Sequence, residues 1–180
     1  MYSLLYISKR KGGSKIRVRK GRMLTLWLLI VCFNMNLLFA QAADERIGMC
    51  IDGSVLTEEQ EVTGSTRSNA NERGVYLSTG NARLSNNGGG VLNVWGSTTC
   101  YKTSDQVKVT LHLQRLVKGT WTTVTTLDTK VAYNTNYVSN SRNVTVTGGY
   151  YYRISGTHVA VKGKTTESTY SSTDGMWVSK

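Results

Sequence analysis

Gln106-Val-Lys-Val-Thr-Leu-His-Leu-Gln-Arg115 alternates apolar and polar residues without a break. Val107, Val109, Leu111 and Leu113 point one way, and Lys108, Thr110, His112 and Gln114 the other. A period of two belongs to a strand with one buried face, so the stretch predicts a sheet whose apolar side is covered by another layer. Just beyond it, Val117-Lys-Gly-Thr120 reads as a tight turn and Trp121-Thr-Thr-Val-Thr-Thr-Leu127 as the return strand of a hairpin. Before it, Val75, Leu77, Leu84, Val91, Leu92, Val94 and Trp95 lie in short runs split by Asn86-Asn-Gly-Gly-Gly90, a strong turn signal.

Further along, Asn143-Val-Thr-Val-Thr147 reads as a strand, and Gly148-Gly149 turns the chain into a second one from Tyr150 to Val161. In that strand Tyr150, Tyr152 and Ile154 share a face opposite Tyr151 and Arg153, and Gly156 marks an expected bulge. A polar run from Thr165 to Thr173 follows, then Asp174-Gly-Met-Trp-Val178 as a last strand. Around seven short strands at this spacing predict an all-β fold, an antiparallel sandwich of two sheets. A small closed barrel is the alternative.

Composition agrees. Residues 74–180 are dense in Thr, Ser, Gly, Asn, Tyr and Trp, and proline is absent from the whole chain. β-Branched and aromatic residues suit a pleated surface, while Gly and Asn suit turns. No stretch after Ala43 reads as an amphipathic helix.

The net charge of +11 is uneven. Lys9, Arg10, Lys11, Lys15, Arg17, Arg19, Lys20 and Arg22 precede the first apolar run, and no acidic residue comes before Asp44. From Ala43 onward, 14 basic residues face 11 acidic ones, a balance of +3. That balance leaves no basic stripe for tracking phosphates, so no nucleic-acid partner is expected. The basic leader, the apolar run Met23 to Phe39 and the small-x-small Ala40-Gln-Ala42 form a secretory signal. Residues 1–42 are read as a helical signal peptide with a long basic start, cleaved after Ala42. An uncleaved anchor is the other possibility, and then the only contact with a membrane. Residues 43–73, acidic and poor in apolar side chains, are expected to form a flexible arm before the domain at 74–180.

Gly149-Tyr-Tyr-Tyr-Arg153 after a Val-Thr-Val strand resembles strands E and F of immunoglobulin-like and fibronectin type III domains. The resemblance implies a tyrosine, Tyr150 or Tyr152, that hydrogen-bonds back to the preceding corner. Ile51-Asp-Gly-Ser-Val-Leu-Thr-Glu-Glu59, Asp105 to Leu116, Gly119-Thr-Trp121 and Gly149 to His158 together resemble an uncharacterised family of small secreted proteins from Gram-positive bacteria. That likeness implies export and a single domain, and brings no catalytic residues.

Cys50 and Cys100 are the cysteines left after cleavage, so a disulfide between them is a candidate. Ser97-Thr-Thr-Cys100 resembles the Thr-Cys end of a sortase strand, yet His112 and His158 both follow the cysteine where that family places its histidine before it. The two histidines, far apart, do not suggest a zinc site, and neither a metal nor a cofactor is expected. Asp105, Asp128 and Asp174 each stand beside a turn, where turn formation explains them as well as a calcium site does. Trp95, Trp121, Trp177 and Tyr151 are the candidate binding residues, because flat rings on a sheet face stack on sugars. Filling the core is the competing role for Trp95 and Trp177. The sequence therefore points to a secreted or cell-surface, non-enzymatic binding or adhesion module for a glycan, a cell-wall polymer or a protein. A self-associating structural component of the envelope and a small hydrolase or transpeptidase using Cys100 are the alternatives.

Overall fold

The 106–115 alternation lies in the second half of β5 (Val91–Val117). All four of its inward side chains, Val107, Val109, Leu111 and Leu113, are completely buried. Lys118 and Gly119 both take left-handed φ, 50° and 82°, as a two-residue hairpin turn requires. β6 (Thr120–Thr145) then returns antiparallel alongside β5. The computed structural model describes residues 46–66 and 74–180. The expected helical leader, its cleavage site after Ala42 and the two ends of the expected arm, 43–45 and 67–73, lie outside these residues.

Two strands are far longer than the sequence pattern predicts: β5 has 27 residues and β6 has 26. Both fold over partway. Their register slips between Thr99 and Ser104, and Asn134 takes φ 50° on the facing strand. Before the fold, β5 pairs with β4 (Leu77–Asn86). After it, β5 pairs with β7 (Tyr150–Lys162). One hairpin thus belongs to two layers. The first layer continues from β4 to β3 (Glu61–Ser65) at its edge. In the second, β7 is flanked by β8 (Thr165–Ser172) and β9 (Gly175–Val178). β2 (Ser54–Thr57) pairs with β9 in parallel, and β1 (Cys50–Ile51) pairs with β2.

Between the layers lies one apolar cluster. Leu84, Leu92 and Val94 come from the first layer, and Val109, Leu111, Ile154 and Met176 from the second. Each such side chain, fully buried, stabilises by about 1.5–3 kcal/mol. At the entry to β7, Tyr152 Oη donates to the Thr147 carbonyl at 2.7 Å, so Tyr152 makes the corner bond. Tyr150 is exposed and lies against Arg115, 4.5 Å from its ring centroid. Tyr152→Phe keeps the buried ring and loses the hydroxyl's bonds, to the Thr147 carbonyl and to Arg115. It is expected to lower stability by about 1 kcal/mol in urea unfolding.

Three expectations change. Thr165–Ser172 is a strand, not a polar run, because β7 offers it a full antiparallel ladder. Gly156 marks no bulge: it pairs with Leu111 in register, and Ile154, Gly156, His158 and Ala160 are all buried in alternation. Its bare Cα makes room instead, since a Cβ there would stand 2.6 Å from Ser171 Oγ and 2.8 Å from His158 Nε2.

The third change concerns the arm. Residues 50–65 contribute β1, β2 and β3, with Leu56 and Val62 buried. One apolar side chain per short strand is too sparse to register as a pattern. It suffices here because polar contacts add to it. Leu56 joins Leu116 and Tyr151 in a second apolar cluster, flanked by Ile51, Trp121 and Trp177. Beside it the Arg153 guanidinium is almost wholly buried. Its Nη1 donates to Asp52 O and Ser54 Oγ, both at 2.9 Å, its Nη2 to Asp52 Oδ2 at 2.7 Å, and its Nε to Gln114 Oε1 at 2.9 Å.

Candidate functional site

Along β3, β4 and the first half of β5, Val62, Ala82, Leu84, Leu92 and Val94 are buried, so their neighbours form the outer face of the first layer. Register places them in rows across the sheet. Thr63, Arg83, Trp95 and Ser141 form the middle row. Glu61, Ser85, Asn93 and Asn143 form the row on one side, and Ser65, Asn81, Ser97 and Ser139 the row on the other. Every neighbour of Trp95 on this face is therefore a hydroxyl, an amide or the Arg83 guanidinium.

The face is pre-ordered by its own hydrogen bonds. Asn93 Nδ2 donates to Asn143 Oδ1 at 2.8 Å and to Ser141 Oγ at 3.2 Å. Ser85 Oγ donates to Glu61 Oε2 at 2.7 Å. The Arg83 guanidinium carbon lies 5.1 Å from the centroid of the half-buried Trp95 ring, an arrangement that favours a cation on an aromatic face. Arg83 Nε makes no hydrogen bond, and Glu61 Oε2 stands 3.9 Å from it. Thr63, Ser65, Asn81, Arg83 and Trp95 border a cleft of about 420 Å3, within the ~300–1,000 Å3 usual for ligand sites.

The other candidate rings lie elsewhere. Tyr151 is only 2% exposed, which corrects its expected place on a free face. It does point away from Ile154, but the β1–β2 segment covers it. Trp177 packs against it with ring centroids 4.9 Å apart. Trp121 lies under Arg153, 4.6 Å from the guanidinium, and donates Nε1–H to the Ile51 carbonyl at 3.0 Å. These three rings build the second cluster, and Trp95 alone of the four sits on the polar face.

Cys50 is exposed, Cys100 is buried, and both are free thiols, so the candidate disulfide between them is not formed. Burial pushes the Cys100 thiol up, with Glu167 adding to the rise and a Ser104 hydrogen bond opposing it. An activated nucleophile is shifted the other way. His112 pairs through Nδ1 with Thr126 Oγ1 at 2.8 Å.

His158 is completely buried, between Thr98 Oγ1 at 2.9 Å from Nδ1 and Ser171 Oγ at 2.8 Å from Nε2. Thr98 Oγ1 already gives its hydrogen to the Lys108 carbonyl at 2.8 Å. The bond to Nδ1 must therefore be donated by the ring, which leaves Nε2 to accept from Ser171. This is a satisfied neutral imidazole. Burial lowers its pKa to about 4, against a weaker opposing pull from a Ser97 backbone hydrogen bond.

The aspartates serve turns and joins. Asp105 takes Lys162 Nζ at 2.7 Å and the Gly163 amide at 2.8 Å, and Asp174 takes the Val55 amide at 2.9 Å. Among the described residues no group of three His, Cys, Asp or Glu side chains is placed to hold a metal ion, and no helix is long and apolar enough to cross a membrane.

The described chain is an all-β, mostly antiparallel domain with one polar sheet face built around a tryptophan. The chain belongs to DUF6147, a family of unknown function, whose model matches residues 41–176. No curated protein matches the chain.

Proposed function

We propose that this is an exported, non-enzymatic module that binds a glycan on its β3-β4-β5-β6 face. The observation that carries the reading is the setting of Trp95. A solvated sheet face needs no tryptophan, and a core tryptophan would not be ringed by hydroxyls and amides. A flat ring within a bed of donors and acceptors suits a pyranose, which has an apolar C–H face and a polar rim. Arg83, Asn81 and Asn93 supply the polar contacts, and Trp95 the stacking surface. Export is supported by the basic leader, the apolar run and Ala40-Gln-Ala42.

A glycan array probed with the protein tests the proposal. Trp95→Ala is expected to weaken capture of any hit by at least about tenfold, with an unchanged unfolding midpoint as control. An array that stays empty for the unaltered protein overturns it.

A further inference from the structure

We infer that the glycan is an uncharged linear chain of several sugar units, lying in a groove that runs from Trp95 to Tyr170; this rests on the glycan reading above. The Trp95 cleft adjoins a second one of about 500 Å3, bordered by Ser155, Thr169, Tyr170 and Ser171. The two clefts share Gly53, Ser65 and Ser172, so together they form one path across the line where β3 of the first layer meets β8 of the second. Gly64 makes that meeting possible, because a Cβ there would run into the Ser172 carbonyl. At the far end Tyr170 is 69% exposed, a second ring with its face in solvent.

The charged side chains that border the path, Arg83, Asp174, Asp52 and Arg153, balance in sign and offer no excess of cations. Arg153 is paired with Asp52 at 2.7 Å and Arg83 stands 3.9 Å from Glu61. Asp174 is held by the Val55 amide. Between the two aromatic rings, recognition falls to serine and threonine hydroxyls, the Asn81 amide and the Arg83 guanidinium. That pattern matches a neutral polyhydroxylated chain, not a uronate or phosphate polymer. A short ligand reaches one ring and a long one reaches both, so affinity rises with length.

Titration calorimetry of the full chain with cello- and chito-oligosaccharides of two, four and six units is the test. The hexasaccharide is expected to bind at least about tenfold more tightly than the disaccharide, and Tyr170→Ala is expected to remove most of that gain. Equal affinity at all lengths, or a gain insensitive to Tyr170→Ala, overturns the inference and leaves the glycan reading standing. Absence of binding at every length also overturns it, and an empty array alongside overturns the glycan reading as well.

Discussion

Taking the protein from pH 7 to pH 4 is expected to remove on the order of 3 kcal/mol of stability through His158 alone. In the unfolded chain this imidazole has its ordinary pKa of 6.5, and in the fold burial holds it at about 4. Between those values the unfolded state binds the proton and the folded state does not. Stability is therefore full above pH 6.5 and is lost as the pH falls toward 4. A marginally stable domain can lose a large share of its reserve this way.

Glu167 acts in the same direction at the acid end. Burial alone raises its carboxyl, but hydrogen bonds from the Leu77, Tyr76 and Val75 amides, at 2.7, 3.0 and 2.8 Å, outweigh it and hold the pKa below the usual range. Its contribution is present above the unfolded pKa of 4.5 and lost as the pH falls through the folded value. Urea unfolding across this range should show a steep decline for the unaltered protein. His158→Gln should give a lower but flatter curve. Parallel curves for the two would refute the assignment to His158.

Arg153→Ala is expected to cost about 3 kcal/mol. The ion pair contributes little of this, because the Asp52 side chain is 75% exposed and an exposed partner is screened. The loss comes from acceptors stranded without a donor: Asp52 O, Ser54 Oγ and Gln114 Oε1. Trp121 also loses the cation stacked on it. Arg153→Lys should recover less than half, since an ammonium cannot present the guanidinium fork to Asp52, Ser54 and Gln114 at once. Tryptophan fluorescence should shift to the red in the alanine variant, as the β1–β2 cover loosens over Tyr151 and Trp177. A variant as stable as the parent, with unshifted emission, would show that the segment holds without this arginine.

The strand periodicity was legible wherever apolar side chains recur. Val107 to Leu113 are buried as their alternation requires, and the Lys118-Gly119 turn falls where glycine marks it. Fold-over of β5 and β6 was not legible, because no Gly-rich turn separates Cys100 from Gln106 and a bend made by register slippage leaves no composition signal. The arm was misread for a related reason. Leu56 and Val62 are single apolar residues in polar surroundings, and their anchor, Arg153, lies about a hundred residues away in sequence. That same omission placed Tyr151 in solvent, since facing was read correctly and the cover was not.

The site was legible only in Trp95. Arg83, Asn81 and Asn93 follow from the alternation of Asn81-Ala-Arg-Leu-Ser85 and Leu92-Asn-Val-Trp95, but only once β4 is known to lie beside β5. Tyr170 has no such signal, because which edge strands meet is a property of the folded layers.

The parallel join of β2 to β9 sets Leu56 opposite Gly175 and Thr57 opposite Met176. A chain made from its amino end therefore carries β2 unpaired on that side until Gly175 and Met176 have been added. The β5–β6 hairpin, by contrast, needs only its own neighbours and can form early. Assembly is thus ordered in time: a hairpin scaffold first, and a seal that waits for β9. Loss of β9 would leave that seal open with most of the ladder already in place.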